Sequence, residues 1–392
     1  MTACEEFNLA DTAPLIILGT GLAGYNLARE LRKLDTQREM ILISRDDGCS
    51  YSKPMLSTGF AKDKTAEALV MKVAASMADQ LGAQILTHTH VTAIDPTQRR
   101  VEHAGGWLAY SDLVLACGAS PRQLPGVDRL QDKILSINDL QDYARFREAL
   151  GAQQRVVIIG AGLIGCEFAN DLLAAGLDIH VVAPDTQIMS GLIPAPVATA
   201  VQQALEAQGV TFHLGRSVVG MQAYSKGLQL TLDNGDQLQA DQGLSAIGLQ
   251  PNTELATAAG LACKRGIGVD RYLRTSDPHV YALGDCAEVH GLNLMYVMPL
   301  MAAARALAKT LAGEPSRLSY GPMPVIIKTP ACPLVVSPPL TATSGAWQVE
   351  SLEGGLRALF RDSEGQLHGY ALTGHTISEK LQLNRQLPDW LE

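Results

Sequence analysis

Two glycine clusters carry the clearest chemistry in this 392-residue chain. Gly19-Thr20-Gly21-Leu22-Ala23-Gly24 follows the apolar run Leu15–Leu18 and precedes a helical pattern over residues 25–34. Gly160-Ala161-Gly162-Leu163-Ile164-Gly165 repeats the arrangement 141 positions later, after the apolar run 156–159 and before a helix that runs from Cys166 to a stop near Gly176. A second strand follows each helix, Met40–Ile43 in the first copy and 179–182 in the second. In such a strand–turn–helix unit the first glycine allows the tight turn and the second lets the backbone approach a pyrophosphate. The third lets the helix pack on the strand, with its N-terminus facing the anion. One copy alone is weak evidence, since glycine turns also serve packing. Two copies in the same context point to two dinucleotides.

The ends of the second strands depart from the usual pattern, in which an Asp or Glu about 20 residues on accepts from the ribose hydroxyls. The first copy ends Ile43-Ser44-Arg45-Asp46 and the second Val182-Ala183-Pro184-Asp185. Ser44 and Arg45 are read as contacts to an adenosine ribose or its phosphate. Asp185 is read as the ribose acceptor of the second site, its charge opposing a 2′-phosphate.

Further strands must position these turns. Residues 83–86, 90–94, 99–103 and 110–116 read as strands, and Cys117-Gly118-Ala119-Ser120-Pro121-Arg122 takes the chain out of a first domain. After the second copy, residues 210–214, 227–232 and 238–240 read as paired strands with a hairpin turn at Asp233-Asn234-Gly235. Residues 244–248 and Pro251-Asn252 close that domain. From Gly321 the texture changes to proline-studded extended runs (323–328, 334–336), short strands at 347–349, 356–360 and 367–370, and a helix from about Ser378. The expected fold is α/β: two Rossmann-like dinucleotide-binding domains, the first built from residues 1–117 and 247–320 and the second from 118–246, with a small α+β domain over 321–392.

Composition excludes several classes. With 47 % apolar, 18 % charged and 5 % aromatic residues, and with 36 glycines and 19 prolines in no period, the chain is neither disordered, nor coiled coil, nor collagen-like. Its 31 basic residues against 40 acidic ones, with no Lys/Arg run, argue against nucleic acid. Seven scattered cysteines (Cys4, Cys49, Cys117, Cys166, Cys263, Cys286, Cys332), with no C-x-x-C and no zinc-ligand pairing, indicate a reducing, cytoplasmic setting. The acidic, polar N-terminus is unlike a secretory signal, and the longest apolar run, 156–166, is too short to cross a bilayer. His88 and His90 are placed on one strand face at metal-like spacing, but no third ligand accompanies them, so no metal is expected. There is no G-x-S-x-G elbow.

One more segment carries a family resemblance. Thr275-Ser276-Asp277-Pro278-His279-Val280-Tyr281-Ala282-Leu283-Gly284-Asp285 matches the T-x-x-x-x-[hydrophobic]-[aromatic]-[small]-x-G-D pattern of flavoproteins that bind two dinucleotides. Together with both glycine turns, it makes the chain resemble the FAD-dependent pyridine nucleotide reductases, with their glutathione-reductase-like fold, over essentially its whole length. Within that superfamily Ser50-Tyr51-Ser52-Lys53-Pro54-Met55-Leu56-Ser57, Gly284-Asp285-Cys286-Ala287-Glu288-Val289 and Lys328-Thr329-Pro330-Ala331-Cys332-Pro333-Leu334 resemble the rubredoxin–NAD(+) reductases.

The resemblance implies FAD on the first glycine turn, NADH as substrate on the second, and rubredoxin, a small iron–sulfur protein, as acceptor of single electrons. Ferredoxin or flavorubredoxin remains an alternative acceptor. The terminal use stays open among alkane hydroxylation and oxygen or nitric oxide detoxification. Asp285 is implied as the holder of the flavin ribityl chain, a role compatible with capping a helix at Cys286-Ala287-Glu288. Lys53 and Glu167 are implied as a pair at the reactive flavin nitrogen, where a cation would stabilise the anionic reduced ring. Their plain alternative is a surface lysine and an acid favouring a helix dipole. Lys328 reaches the flavin or the acceptor, or is a solvated edge-strand lysine. Val91 offering its backbone to the adenine and Val297 beside the isoalloxazine rest on the resemblance alone; as sequence they are core valines.

Disulfide reductases of this architecture carry C-x-x-x-x-C or C-x-x-C, and neither is present. Oxidase relatives keep one reactive cysteine near the place of Ser52-Lys53-Pro54, where the nearest thiol, Cys49, stands a few residues early. A single-Cys NADH oxidase or disulfide reductase, or a flavin-bound sensor without turnover, is therefore the competing reading.

Overall fold

The computed structural model describes residues 12–126, 130, 133–151, 154–224, 227–340 and 342–391, so the N-terminal reading and Cys4 lie outside the described residues. Leu15–Leu18 is buried at all four positions, as expected of a parallel strand covered on both faces. It sits at the middle of a five-stranded parallel sheet in the order Val280–Ala282, Leu113–Leu115, Leu15–Leu18, Met40–Ile43, Gln84–Leu86. A second five-stranded parallel sheet repeats the plan in the order Ile134–Leu135, Gln242–Ser245, Arg155–Ile159, Asp178–Ala183, Thr211–Leu214. Each glycine-turn strand thus holds the central place of its own sheet. One sheet joins segments on both sides of the other in sequence. An antiparallel strap, Ala119–Pro121 against Leu249–Pro251, marks where the chain crosses between them.

Several expected boundaries shift for identifiable reasons. The helices begin at Leu22 and Leu163, three residues earlier than read, because Gly21 and Gly162 are the N-caps and the third glycine of each motif lies inside the first turn. Of the run 110–116 only Leu113–Leu115 is strand, and a separate strand that the sequence did not suggest stands just before it. Gly106–Ala109 closes an antiparallel ribbon with Arg100–His103, and Leu113–Leu115 joins the parallel sheet after a turn in which Tyr110 N–H donates to Arg99 O and Ser111 N–H to Pro14 O. Thr211–Leu214 does not pair with 227–232; it is the edge of the second parallel sheet. The strand that does pair there is Val218–Tyr224, whose mostly solvent-facing pattern gave no period-2 signal. His88 lies in a turn at φ +47°, not on a strand face with His90.

The C-terminal region forms a five-stranded antiparallel sheet in the order Val325–Ile327, Leu334–Ser337, Leu367–Thr373, Gly355–Arg361, Ala346–Leu352. Its alternation of two faces is visible in one strand. Leu334 and Val336 join a core with Phe168 and Leu172 of the second glycine-turn helix, while Val335 turns to Tyr370, Leu372 and Leu383 on the far side.

Candidate functional site

A cleft of about 1790 Å³ opens at the C-terminal ends of both parallel sheets, the place where open α/β sheets take ligands. Both glycine turns line it, together with Lys53, Asp285, Asn138, Val297 and the Pro324–Lys328 edge of the C-terminal sheet.

The glycines divide into the roles their positions require. Gly19 and Gly160 turn the chain at φ +117° and +112°, and a Cβ there would stand 2.2 Å from Ala116 O and 2.5 Å from Ala246 O. A Cβ on Gly24 or Gly165 would stand 1.9 or 2.0 Å from the carbonyl oxygen of the first glycine, so these two fix helix to strand. Around Gly21 and Gly162, by contrast, nothing lies within 4 Å of the Cβ position, and neither helix receives a side-chain cap. Two uncapped helix starts behind two open glycines provide what two pyrophosphates need: N–H donors, a favourable dipole and room for close approach.

The surroundings of the two turns differ. At the first, Thr20 Oγ1 donates to Ser44 Oγ at 2.6 Å, and Ser44 Oγ donates to Asp46, which also accepts from Gly48 N–H at 2.9 Å. Thr20 and Ser44 are buried; Arg45 is exposed at the cleft wall, 3.9 Å from Asp139. At the second turn the corresponding positions are Ala161 and Ala183, and Asp185 projects into solvent on the cleft wall. Val91 is buried under the cleft, and Val297 is 40 % exposed at the start of the helix Val297–Leu311.

Glu167 and Lys53 do not pair. Glu167, 1 % exposed, is held by Lys328: Nζ lies 2.8 Å from Oε2, and the Lys328 backbone N–H donates to Oε1 at 2.9 Å. Ser57 Oγ donates to Oε2 at 2.6 Å, and Lys328 Nζ also reaches Ser57 Oγ and Pro54 O. Glu167 thereby joins three segments: the 3-10 turn Lys53–Thr58, its own helix and the start of the C-terminal region. Lys53 turns instead to Asn138 Oδ1 at 2.8 Å and to Asp285 Oδ2 at 3.9 Å. The reason is local. Lys53 opens the 3-10 turn and Ser57 lies near its end, so the turn presents the hydroxyl, not the ammonium, to Glu167. Burial holds Lys53 below the ordinary lysine value and raises Asp285, with each one's charge opposing the other's shift. Asp285 lines the cleft from the 3-10 turn Gly284–Cys286, whose cap residue is Leu283.

Sequence reasoning gave no role to Ser57 or Asn138. Ser57 ends the stretch from Ser50 that carries the family resemblance, whereas nothing near Asn138 in the sequence signals a site. The six cysteines of the described residues are free. Burial and the neighbouring carboxylates of Asp47 and Asp46 push the Cys49 thiol up to about 11, and burial pushes Cys117 and Cys166 up to about 12. Thiols in that range are poor nucleophiles at neutral pH. Among the described residues no group of three or more His, Cys, Asp and Glu is arranged to hold a metal ion, and no helix is long and apolar enough to cross a membrane.

Residues 13–308 match the pyridine nucleotide-disulphide oxidoreductases, a match that spans both glycine turns and the Gly284-Asp285 segment. The chain belongs to that family. As a member of the pyridine nucleotide-disulphide oxidoreductases it carries a further match over residues 317–387, to a rubredoxin-binding C-terminal domain. It is 49 % identical over 376 residues to a rubredoxin-NAD(+) reductase of Alcanivorax borkumensis, covering 96 % of this chain and 98 % of that one. It is 44 % identical over 385 residues to a rubredoxin-NAD(+) reductase of Acinetobacter baylyi, with the same coverage. Among solved structures, putidaredoxin reductase in its covalent complex with putidaredoxin superposes with a TM-score of 0.87 at 26 % identity, over 96 % of this chain and 94 % of that one.

Proposed function

We propose that this family member carries electrons from NADH through bound FAD to rubredoxin, the activity named for its relatives in Alcanivorax and Acinetobacter. The observation that carries the reading is one cleft that joins two uncapped glycine turns to the edge of a C-terminal region matching a rubredoxin-binding domain. Bound FAD supplies the exchange between a two-electron donor and a one-electron acceptor.

The chain's own residues take the following roles in this proposal. Gly19, Thr20, Gly21, Leu22, Ala23 and Gly24 cradle the FAD pyrophosphate, Ser44 and Arg45 meet its adenosine, and Val91 offers its backbone to the adenine. Asp285 accepts from the ribityl hydroxyls, while Lys53, Val297, Glu167 and Lys328 surround the ring. Lys53 keeps a cation near the ring's developing negative charge; Glu167 fixes Lys328 and the turn that carries Lys53. Gly160, Gly162 and Gly165 cradle NADH, and Asp185 accepts from its ribose. We assign residues 1–117 and 247–320 to the FAD-binding domain, 118–246 to the NAD-binding domain and 321–392 to the acceptor-facing domain. A reducing cytoplasm suits the free cysteines, with alkane hydroxylation, or oxygen or nitric oxide detoxification, as candidate consumer of the electrons.

The test is reduction of rubredoxin by the purified protein with NADH, run beside ferredoxin and a generic dye. Rubredoxin is expected to be reduced fastest, with FAD released on denaturation. Reduction of rubredoxin no faster than of the dye overturns the assignment.

A further inference from the structure

Asn138 belongs to none of the motifs above, yet it touches Lys53. It lies between the strand Ile134–Leu135 and the helix Leu140–Leu150, is buried, and lines the cleft. Three hydrogen bonds fix it. Its backbone N–H donates to Asp142 Oδ2 at 3.1 Å, its Nδ2 donates to Ala119 O at 2.9 Å, and its Oδ1 accepts from Lys53 Nζ at 2.8 Å. The orientation of the amide follows from its neighbours. Ala119 O only accepts, so the amide NH₂ must face it, and Oδ1 is left to an ammonium that only donates. Ala119 lies in the crossover strap, so Lys53 is tied through one side chain to the point where the chain passes between the two sheets.

We infer that Asn138 is a positioning residue that holds the Lys53 ammonium in the cleft through a neutral contact, leaving the lysine's charge available to the flavin. The inference rests on the reading of Lys53 as a flavin contact. A carboxylate at this position would offset the cation at hydrogen-bond distance, whereas an amide fixes direction without adding charge. The other charged groups around Lys53 are Asp285 at 3.9 Å, then Asp139, Asp142 and Arg45. Without Asn138 the flexible lysine stem would have no direct hydrogen-bonding anchor and would relax toward water.

The test is the midpoint potential of FAD bound to the full-length protein, measured for wild type, K53M, N138L and the double variant. K53M is expected to lower the potential. N138L alone is expected to lower it by a tenfold shift in the two-electron reduction equilibrium, about 30 mV, and to add nothing in the K53M background. An equal drop in both backgrounds means that Asn138 acts on the fold and not through Lys53, and overturns the inference. N138A serves if N138L does not retain FAD; loss of FAD by both, with K53M retaining it, also overturns it. An effect of K53M with none of N138L removes the Asn138 inference alone. No effect of K53M, or no bound FAD at all, removes the Lys53 reading and this inference with it.

Discussion

The two glycine turns share a backbone and differ in their walls. Gly19 and Gly160 bend the chain at nearly the same φ, and Gly24 and Gly165 press equally close on the carbonyl of the first glycine of their own turn. Around the first turn, however, Thr20, Ser44 and Asp46 form a partly buried hydroxyl–carboxylate relay, where the second has Ala161, Ala183 and a solvent-facing Asp185. Repetition of the backbone fixes what class of ligand each turn takes; the side chains decide how long it stays. A walled site with fixed polar partners suits a resident FAD, and an open one suits a nicotinamide that enters and leaves with every turnover.

The largest predicted contrast comes from adding one methyl group to either turn. Gly19→Ala places a Cβ against Ala116 O at a left-handed φ and is expected to yield protein without flavin. Gly160→Ala is expected to keep its flavin and raise KM for NADH at least tenfold. Flavin content on purification separates the two, and equal flavin loss would erase the distinction between the turns.

Next in size is Glu167→Ala, which takes the counter-charge from the Lys328 ammonium and the short acceptor from Ser57, leaving both only Pro54 O and each other. Breaking a buried pair on one side costs about 3 kcal/mol, so a fall in Tm is expected, with weakened FAD retention because the turn carrying Lys53 loses its anchor.

Ser44→Ala removes one relay member and is expected to weaken FAD binding by about 1 kcal/mol, the worth of a hydrogen bond. The reciprocal Ala183→Ser is expected to leave KM for NADH within twofold. Fluorescence titration of FAD and steady-state kinetics read the pair.

The smallest effect is a pH dependence. Burial puts Lys53 below the ordinary lysine value of 10.5, so its cation is lost as pH rises through that lowered value, earlier than for an exposed lysine. The flavin potential of wild type is expected to fall more steeply with alkaline pH than that of K53M; parallel curves would show that Lys53 does not act on the ring.

What could be read in the sequence was whatever the backbone enforces locally. Glycines with a left-handed φ or a buried Cβ direction declare themselves, as does the Asn234-Gly235 turn at φ +89°. Partnerships across long separations do not. The resemblance pairs Glu167 with Lys53, 114 residues before it, whereas the fold brings it Lys328, 161 residues after it. Asn138 was invisible for the same reason: its partners, Lys53 and Ala119, come from other elements. The strand Val218–Tyr224 was missed because its solvent-facing residues carry no amphipathic period.

Electron flow from NADH through a resident flavin is tested most directly by a single-turnover experiment on protein freed of loose nucleotide by gel filtration, mixed with one equivalent of NADH and excess rubredoxin. FAD is expected to stay bound in equimolar amount, rubredoxin to be reduced, and no long-wavelength thiolate–flavin charge-transfer band to form. Loss of the flavin on the column, or appearance of that band with rubredoxin left oxidised, would contradict it.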